Sequence, residues 1–403
     1  MKFKLVKFAL LVGVGAFFIN ACLSTKPAPI KRESTTPSPQ SAAVQQMPVL
    51  VDFSDELKFK QLQSNFAKPN LHLRIFGDSH MAADFFSSRL RTHIATNAVG
   101  FVYPLQPKYH HAVPVSYKSK HFEILNSKSK DLQANFAMGG IIAKALKKDA
   151  FIRLDNSINP KATLIAVFKS PHTKDAFLLK DGKNKHFVLK SAVRGKWIFA
   201  RIKDANFPVQ IVALDKNVLL GGFFILNEGS NAVIDTLGIN GAKSDLWQKW
   251  NESVFLDELN LFKSDIVVLA YGSNDALIGE FDETHFKESY KKLIALLYAS
   301  NPNTSIILIS PPTITYKVNE AFELHPDFYR VQKAIYELAK EEKLVLFDMH
   351  KLIENYGGKG LWIEQNLSRN DVHLTPDGYK LMADEFYSAI QQMLKKPTYS
   401  LAN

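Results

Sequence analysis

Three continuous apolar runs, DIVVLAY at 265–271, TSIILIS at 304–310 and KLVLFDM at 343–349, alternate with helix-patterned stretches. A strand that is apolar on both faces must be covered on both faces, as in a parallel sheet flanked by helices. The stretches at about 284–299 (THFKESYKKLIALLYA) and 326–342 supply such helices. A last helix is expected from about Pro376 to Lys395, with Pro376 suited to its first turn. Upstream, LHLRIF (71–76) reads as a strand and MAADFFSSRLRTHI as a helix, with Met81, Phe85, Leu90 and Ile94 at helical spacing. Alternation of this kind predicts an α/β fold with a parallel sheet and helices on both faces.

The stretch from 105 to 235 breaks that rhythm. TLIAVFK, AFLLKDGKNKHFVLK, KWIFARI, PVQIVAL and GGFFIL are short strands separated by turn signals, and Asp181-Gly182-Lys183-Asn184 reads as a hairpin connection. The expectation is an all-β domain inserted into the α/β domain, which then comprises residues 48–104 and 236–397.

The start, MKFKLVKFALLVGVGAFFINAC, has lysines first, then an apolar run from Phe8 to Ile19. That is a charged region and a short hydrophobic core, as in a signal peptide over 1–22. The run is too short to span a bilayer, which takes about 20 residues. Ile19-Asn20-Ala21-Cys22 resembles a bacterial lipobox, although Asn20 is not favoured there. Cys22 is then the lipidation site and the protein faces the periplasm, anchored to the outer membrane; the alternative is an ordinary signal peptide with an incidental cysteine. As the only cysteine, Cys22 forbids an internal disulfide. Residues 23–47, rich in Pro, Ser and Thr, read as a disordered tether. Net charge is +11, and Lys2, Lys4 and Lys7 of the leader account for three of those charges. The excess favours anionic surfaces. With no Arg-rich helix and no zinc-finger spacing, nucleic acid is not an expected partner.

Four short blocks carry the residue types of hydrolytic chemistry: Gly77-Asp78-Ser79-His80, GINGAKS (238–244), YGSND (271–275) and NDVHLTPDG (370–378). The first and third stand at the ends of expected strands, where open α/β sheets form their sites. A serine becomes a nucleophile when a base takes its proton, and a carboxylate holds that base in one tautomer. Asp78 is read as holding the turn and Asp275 as a buried partner for its loop. His80 either lines the cleft or begins the helix. His110-His111 are read as a solvated loop, because no carboxylate cluster or Cys/His spacing supports a metal.

Together the blocks resemble the SGNH hydrolase (GDSL-type esterase) superfamily, whose four name-giving residues occur in order as Ser79, Gly241, Asn274 and His373. The resemblance implies a flavodoxin-like three-layer hydrolase domain and no cofactor or metal. It implies a catalytic Ser79 with His373 as base. It implies an oxyanion hole from the backbone N–H groups of Ser79 and Gly241 and the amide of Asn274. The family places its Asp three residues before His; here that position is Asn370, and the carboxylate, Asp371, lies two before His373. Asp371 is the expected third member, with Asn370 as the alternative; Asp78, His80 and Asn370 are supporting candidates.

Ser79 and Gly241 stand 162 positions apart, far more than is usual in that superfamily, and the excess is about the size of the β stretch. An SGNH domain interrupted by a carbohydrate-binding-like β-sandwich is similar to the peptidoglycan O-acetylesterases of Gram-negative bacteria, as are the wordings GDSHMAADFF and GINGA. The resemblance implies removal of the O-6 acetyl group from N-acetylmuramic acid in O-acetylated peptidoglycan, with release of acetate and control of wall turnover and cell shape. Other SGNH chemistry (another carbohydrate esterase, a lipase or thioesterase, an O-acetyltransferase) stays open, as does a non-catalytic glycan-binding lipoprotein.

Overall fold

The structure is a computed structural model, and it describes residues 48–395 apart from Asn97, Asp131, Gln133 and 227–231. The expected leader, Cys22 and the tether lie outside the described residues. Among the described residues no helix is long and apolar enough to cross a membrane.

Six strands form the central sheet: β1 (Leu50–Asp52), β2 (His72–Gly77), β3 (Val233–Gly238), β4 (Ile266–Ala270), β5 (Ser305–Ser310) and β6 (Val345–Asp348). Their order is β1-β6-β5-β4-β2-β3. The last five pair in parallel and β1 is an antiparallel edge. The parallel order is the flavodoxin-like one. Its pleat explains the unbroken apolar runs. Val267 and Leu269 of β4 point into one core with Ile306 and Leu308 of β5. Ile266 and Val268 point into the opposite core with Ile307 and Ile309. Helices Glu252–Leu261, Glu283–Ser300 and Phe328–Glu341 cover the first face through Phe255, Leu293 and Ile335. Helices Glu56–Phe66, Phe85–His93 and Pro376–Leu394 cover the second through Phe59, Phe86 and Phe386.

The expected helix over 81–94 is two helices, Ser79–Ala82 and Phe85–His93. Asp84 breaks it with φ 57°. Its buried carboxylate accepts from Arg91 at 2.8 Å and from the backbone N–H of Val113 at 3.0 Å. The helical pattern gives way so that one carboxylate can tie it to the loop beyond residue 107.

The antiparallel region forms two packed sheets. One runs His186–Lys190, Asp175–Lys180, Val209–Ala213, Phe151–Asn156, Val115–Lys120; the other runs Trp197–Asn206, Lys161–Lys169, Leu219–Leu226, Ile141–Ala145, Phe122–Asn126. Lys161–Lys169 shows how it is seated. Leu164, Ala166 and Phe168 face the partner sheet. Ile165 and Val167 join the core that holds Phe255 and Trp250 of the α/β half. Gly100–Val102 also pairs with Leu219–Leu226, and β3 resumes the parallel sheet at Val233. The antiparallel part therefore starts and ends a few residues before the expected 105 and 235.

Candidate active site

In a sheet of this order, consecutive connections leave β2 and β4 toward opposite edges, and a crevice opens beyond their carboxyl ends. Gly77 ends β2. A Cβ placed on it would fall 2.7 Å from Met81 Cγ and 2.9 Å from the Ala270 carbonyl oxygen, so only glycine lets the chain turn here against β4. Asp78 is buried and caps the following turn by accepting from His80 N–H at 2.9 Å. Burial lifts its carboxyl to about 7, with that N–H opposing the rise. Ser79 begins the short helix at this corner.

His373 arrives from the loop before the last helix. That helix is capped by Thr375, whose hydroxyl accepts from Gly378 N–H at 3.2 Å. His373 Nε2 lies 3.0 Å from Ser79 Oγ, and its Nδ1 lies 3.1 Å from Asp371 Oδ2. Asp371 Oδ1 also accepts from His373 N–H at 2.9 Å. Burial works against the charge on Asp371, but these hydrogen bonds and the imidazole's charge hold its carboxyl at about 2. A carboxylate on Nδ1 leaves the Nε2 lone pair for the serine proton. Asn370 is exposed, and its backbone carbonyl accepts from the Thr315 hydroxyl at 2.7 Å.

The chain just beyond β3 and β4 supplies donors. Gly241 has φ 78°, a conformation that favours glycine. Among the described residues neither Ser79 N–H nor Gly241 N–H has an acceptor. Asn274 gives one amide hydrogen to the Ala242 carbonyl at 3.0 Å; the second has no acceptor among the described residues. Asp275 fastens the two loops together, accepting from Ser244 N–H at 3.1 Å and from its hydroxyl at 2.7 Å. Burial raises the Asp275 carboxyl to about 6, against those hydrogen bonds.

His80 is buried, not open to the cleft. Its Nδ1 meets Tyr379 Oη and its Nε2 meets Ser273 Oγ, each at 2.9 Å. Its ring centre is 5.7 Å from that of His373. Burial, then the His373 charge, lowers its pKa well below the usual imidazole value. It thereby joins the serine corner, the Asn274 loop and the last helix. His110 is buried too, against the expected solvated loop, and packs beside Tyr103 with Asn240 Nδ2 at 3.3 Å from its Nδ1. Among the described residues no cluster of His, Cys, Asp and Glu is suited to a metal ion.

Lys359 is a residue that no sequence pattern announced. Its Nζ donates to the carbonyl of Asp371 at 2.5 Å and to that of Thr313 at 3.3 Å. Burial lowers its pKa to about 8, with the Asp371 charge opposing. Only the tertiary fold brings this lysine behind the His373 loop.

A serine hydroxyl bonded to an imidazole bonded to a carboxylate, beside free N–H donors, is suited to acyl transfer. Residues 224–381 match the GDSL-like Lipase/Acylhydrolase family. The chain carries an acylhydrolase domain of that type over those residues and is an esterase. Residues 98–210 match a second family, described as Peptidoglycan O-acetylesterase, N-terminal, so the chain carries that domain beside the acylhydrolase one. A solved structure described as a peptidoglycan O-acetylesterase in action matches 86% of this chain and 99% of its own, at 20% identity and TM-score 0.74. It shares the fold: an SGNH hydrolase with an inserted β domain. An acetyl xylan esterase is 26% identical over 39% of this chain and 81% of its own, with TM-score 0.32. A family two carbohydrate esterase from Cellvibrio japonicus is 12% identical over 70% of this chain and 98% of its own, with TM-score 0.28. These two overlaps are too loose to bear on the fold. No curated protein matches the chain.

Proposed function

We propose that the protein is a peptidoglycan O-acetylesterase that removes O-6 acetyl groups from N-acetylmuramic acid and releases acetate. The observation that carries this reading is the Ser79–His373–Asp371 chain, with contacts of 3.0 and 3.1 Å, in a molecule whose residues 98–210 match the N-terminal domain of such esterases.

In this reading Ser79 Oγ attacks the acetyl carbonyl carbon as its proton passes to His373 Nε2. The oxyanion is met by Ser79 N–H, Gly241 N–H and the free amide hydrogen of Asn274. Collapse breaks the bond to the sugar oxygen, which leaves as the 6-hydroxyl with the proton from His373. Water, deprotonated by the same imidazole, then hydrolyses the acetyl-serine. Acetate leaves, and the serine recovers its proton. Asp371 holds the imidazole tautomer throughout. The antiparallel half holds the glycan against the cleft. The product, a glycan with a free 6-hydroxyl, is the form that lytic transglycosylases cleave, which links the enzyme to wall turnover and cell shape. A wall substrate puts the enzyme outside the cytoplasm, where the leader, Cys22 and the tether would carry and anchor it.

The test is acetate release from O-acetylated sacculi by the intact protein and by Ser79→Ala. Activity that survives in the variant sinks the mechanism. Turnover of other acyl esters with no acetate from sacculi sinks the substrate. Acetyl transfer to a sugar in place of acetate release would make the enzyme a transferase.

A further inference from the structure

The loop between Gly100–Val102 and Val115–Lys120 passes directly along the cleft. His111 N–H donates to the Ala82 carbonyl at 3.1 Å, three residues from Ser79. Asn240, next to Gly241, donates to the Lys108 carbonyl at 3.3 Å. Between these anchors Tyr109 has φ 66° and is 72% exposed. A bulky residue at positive φ is a genuine outlier, and such outliers gather at ligand sites. The burial of His110 on one side of Tyr109 and the Asn240 contact on the other keep the ring in the solvent. The ammonium of Lys108 sits 4.7 Å from the ring centre.

A second positive charge comes from the other sheet. Lys128 follows the strand Phe122–Asn126, and its loop is fixed by Lys128 N–H on Asn126 Oδ1 at 2.9 Å and by Lys249 Nζ on the Ser129 carbonyl at 3.1 Å. A Cβ placed on Gly241 would fall 2.2 Å from Lys128 Nζ. Neither Lys108 nor Lys128 has an acidic partner among the described residues. The side of the cleft that carries Gly241 thus presents one aromatic face and two unneutralised ammonium groups.

We infer that Tyr109, Lys108 and Lys128 form a subsite that stacks a sugar ring on Tyr109 and holds a carboxylate of the attached peptide with the two lysines. The inference rests on the peptidoglycan reading and deepens it, because it makes the acidic stem a specificity determinant for the Ser79 site. An aromatic face suits the C–H face of a sugar. An ammonium–carboxylate contact at an exposed site is weak singly, so the charges act on KM.

The experiment compares the intact protein with Lys128→Glu and Tyr109→Ala on three substrates: O-acetylated peptidoglycan, the same polymer with its carboxylates capped by methylamine, and neutral 4-nitrophenyl acetate. For Lys128→Glu the ratio of kcat/KM on native polymer to that on the small ester falls about tenfold, through KM. On the capped polymer that penalty disappears. Tyr109→Ala raises KM on native and capped polymer alike. A Lys128→Glu penalty that persists on capped polymer, or an unchanged ratio in both variants, overturns the subsite. Failure of the unaltered protein to release acetate from either polymer overturns the underlying reading and the subsite with it.

Discussion

Around the cleft, the parallel half buries Asp78, Asp275 and His80 and gives each one partners. Asp78 and Asp275 are held by N–H and O–H donors, and His80 sits between two hydroxyls. The antiparallel half presents Lys108 and Lys128 to solvent, unpaired among the described residues. Transition-state chemistry needs groups fixed before the substrate arrives, because reorganisation at the moment of reaction costs rate. Capture of a polymer needs charge that water and substrate can still reach. On the proposed reading, each half serves one of these demands.

If that division holds, substitutions in the parallel half change kcat and those in the antiparallel half change KM. The largest effect is expected at the triad. Asp371→Asn lowers kcat by about 10⁴ through the imidazole tautomer, while Asn370→Ala changes it little; steady-state kinetics on a small acetyl ester reads both, and the reverse ranking would make Asn370 the orienting residue. Next, Asn274→Ala removes an oxyanion donor and lowers kcat by about 10²–10³ with KM nearly kept. A change confined to KM would break the division.

A smaller effect is expected from Lys359, an ammonium that the parallel half sets behind the triad loop. Its pKa is lowered to about 8, so the cation is present at neutral pH and is lost as pH rises past that value. Lys359→Met lowers kcat about tenfold and removes an alkaline fall in activity centred near pH 8, while Lys359→Arg keeps activity to higher pH. A pH–rate profile identical in all three proteins would make the lysine a bystander.

The smallest effect on rate, with its signal in stability, is expected at the seam between the halves. Glu258 is fully buried and accepts from Met138 N–H at 2.6 Å. Burial raises its carboxyl from 4.5 to about 8, with that N–H opposing. Between those values the folded protein holds a proton that the unfolded chain releases, so the stability due to this group is complete below about pH 4.5 and is lost as pH rises to 8. Glu258→Gln does not ionise. Relative to the unaltered protein it gains on the order of a few kcal/mol between pH 5 and 8, measured by urea unfolding at several pH values. A constant offset across that range would mean that Glu258 is already ionised in the fold. The apolar seam also makes point substitutions better tests than excision of the antiparallel half, which would expose Ile165 and Val167.

Much of the parallel half was legible in the sequence. An apolar run such as DIVVLAY admits few other environments, and β4 is found at Ile266–Ala270 inside it. Ser79, Gly241, Asn274 and His373 could be singled out because their four short blocks, taken together and in order, resemble the SGNH pattern. The choice between Asn370 and Asp371 was not local. The contact of Asp371 with Nδ1 depends on how the loop folds over Lys359, a residue whose surroundings in the sequence carry no signal. His110 was misread as solvated for the same reason: its burial depends on Tyr103 and on Asn240, 130 positions away.

The sequence by itself determined a parallel sheet with a β insertion and the residue types at the strand ends, because hydrophobic periodicity and turn chemistry act over a few residues. The tertiary structure alone decided that Asp371 and not Asn370 meets His373, that the helix after Ser79 breaks at Asp84, and that Lys108 and Lys128 lie against the Gly241 loop. Apart from the Asp371–His373 contact, which is set by how its own loop folds, those contacts join segments far apart in the chain. Their energies depend on burial and distance in three dimensions, which a linear pattern does not encode.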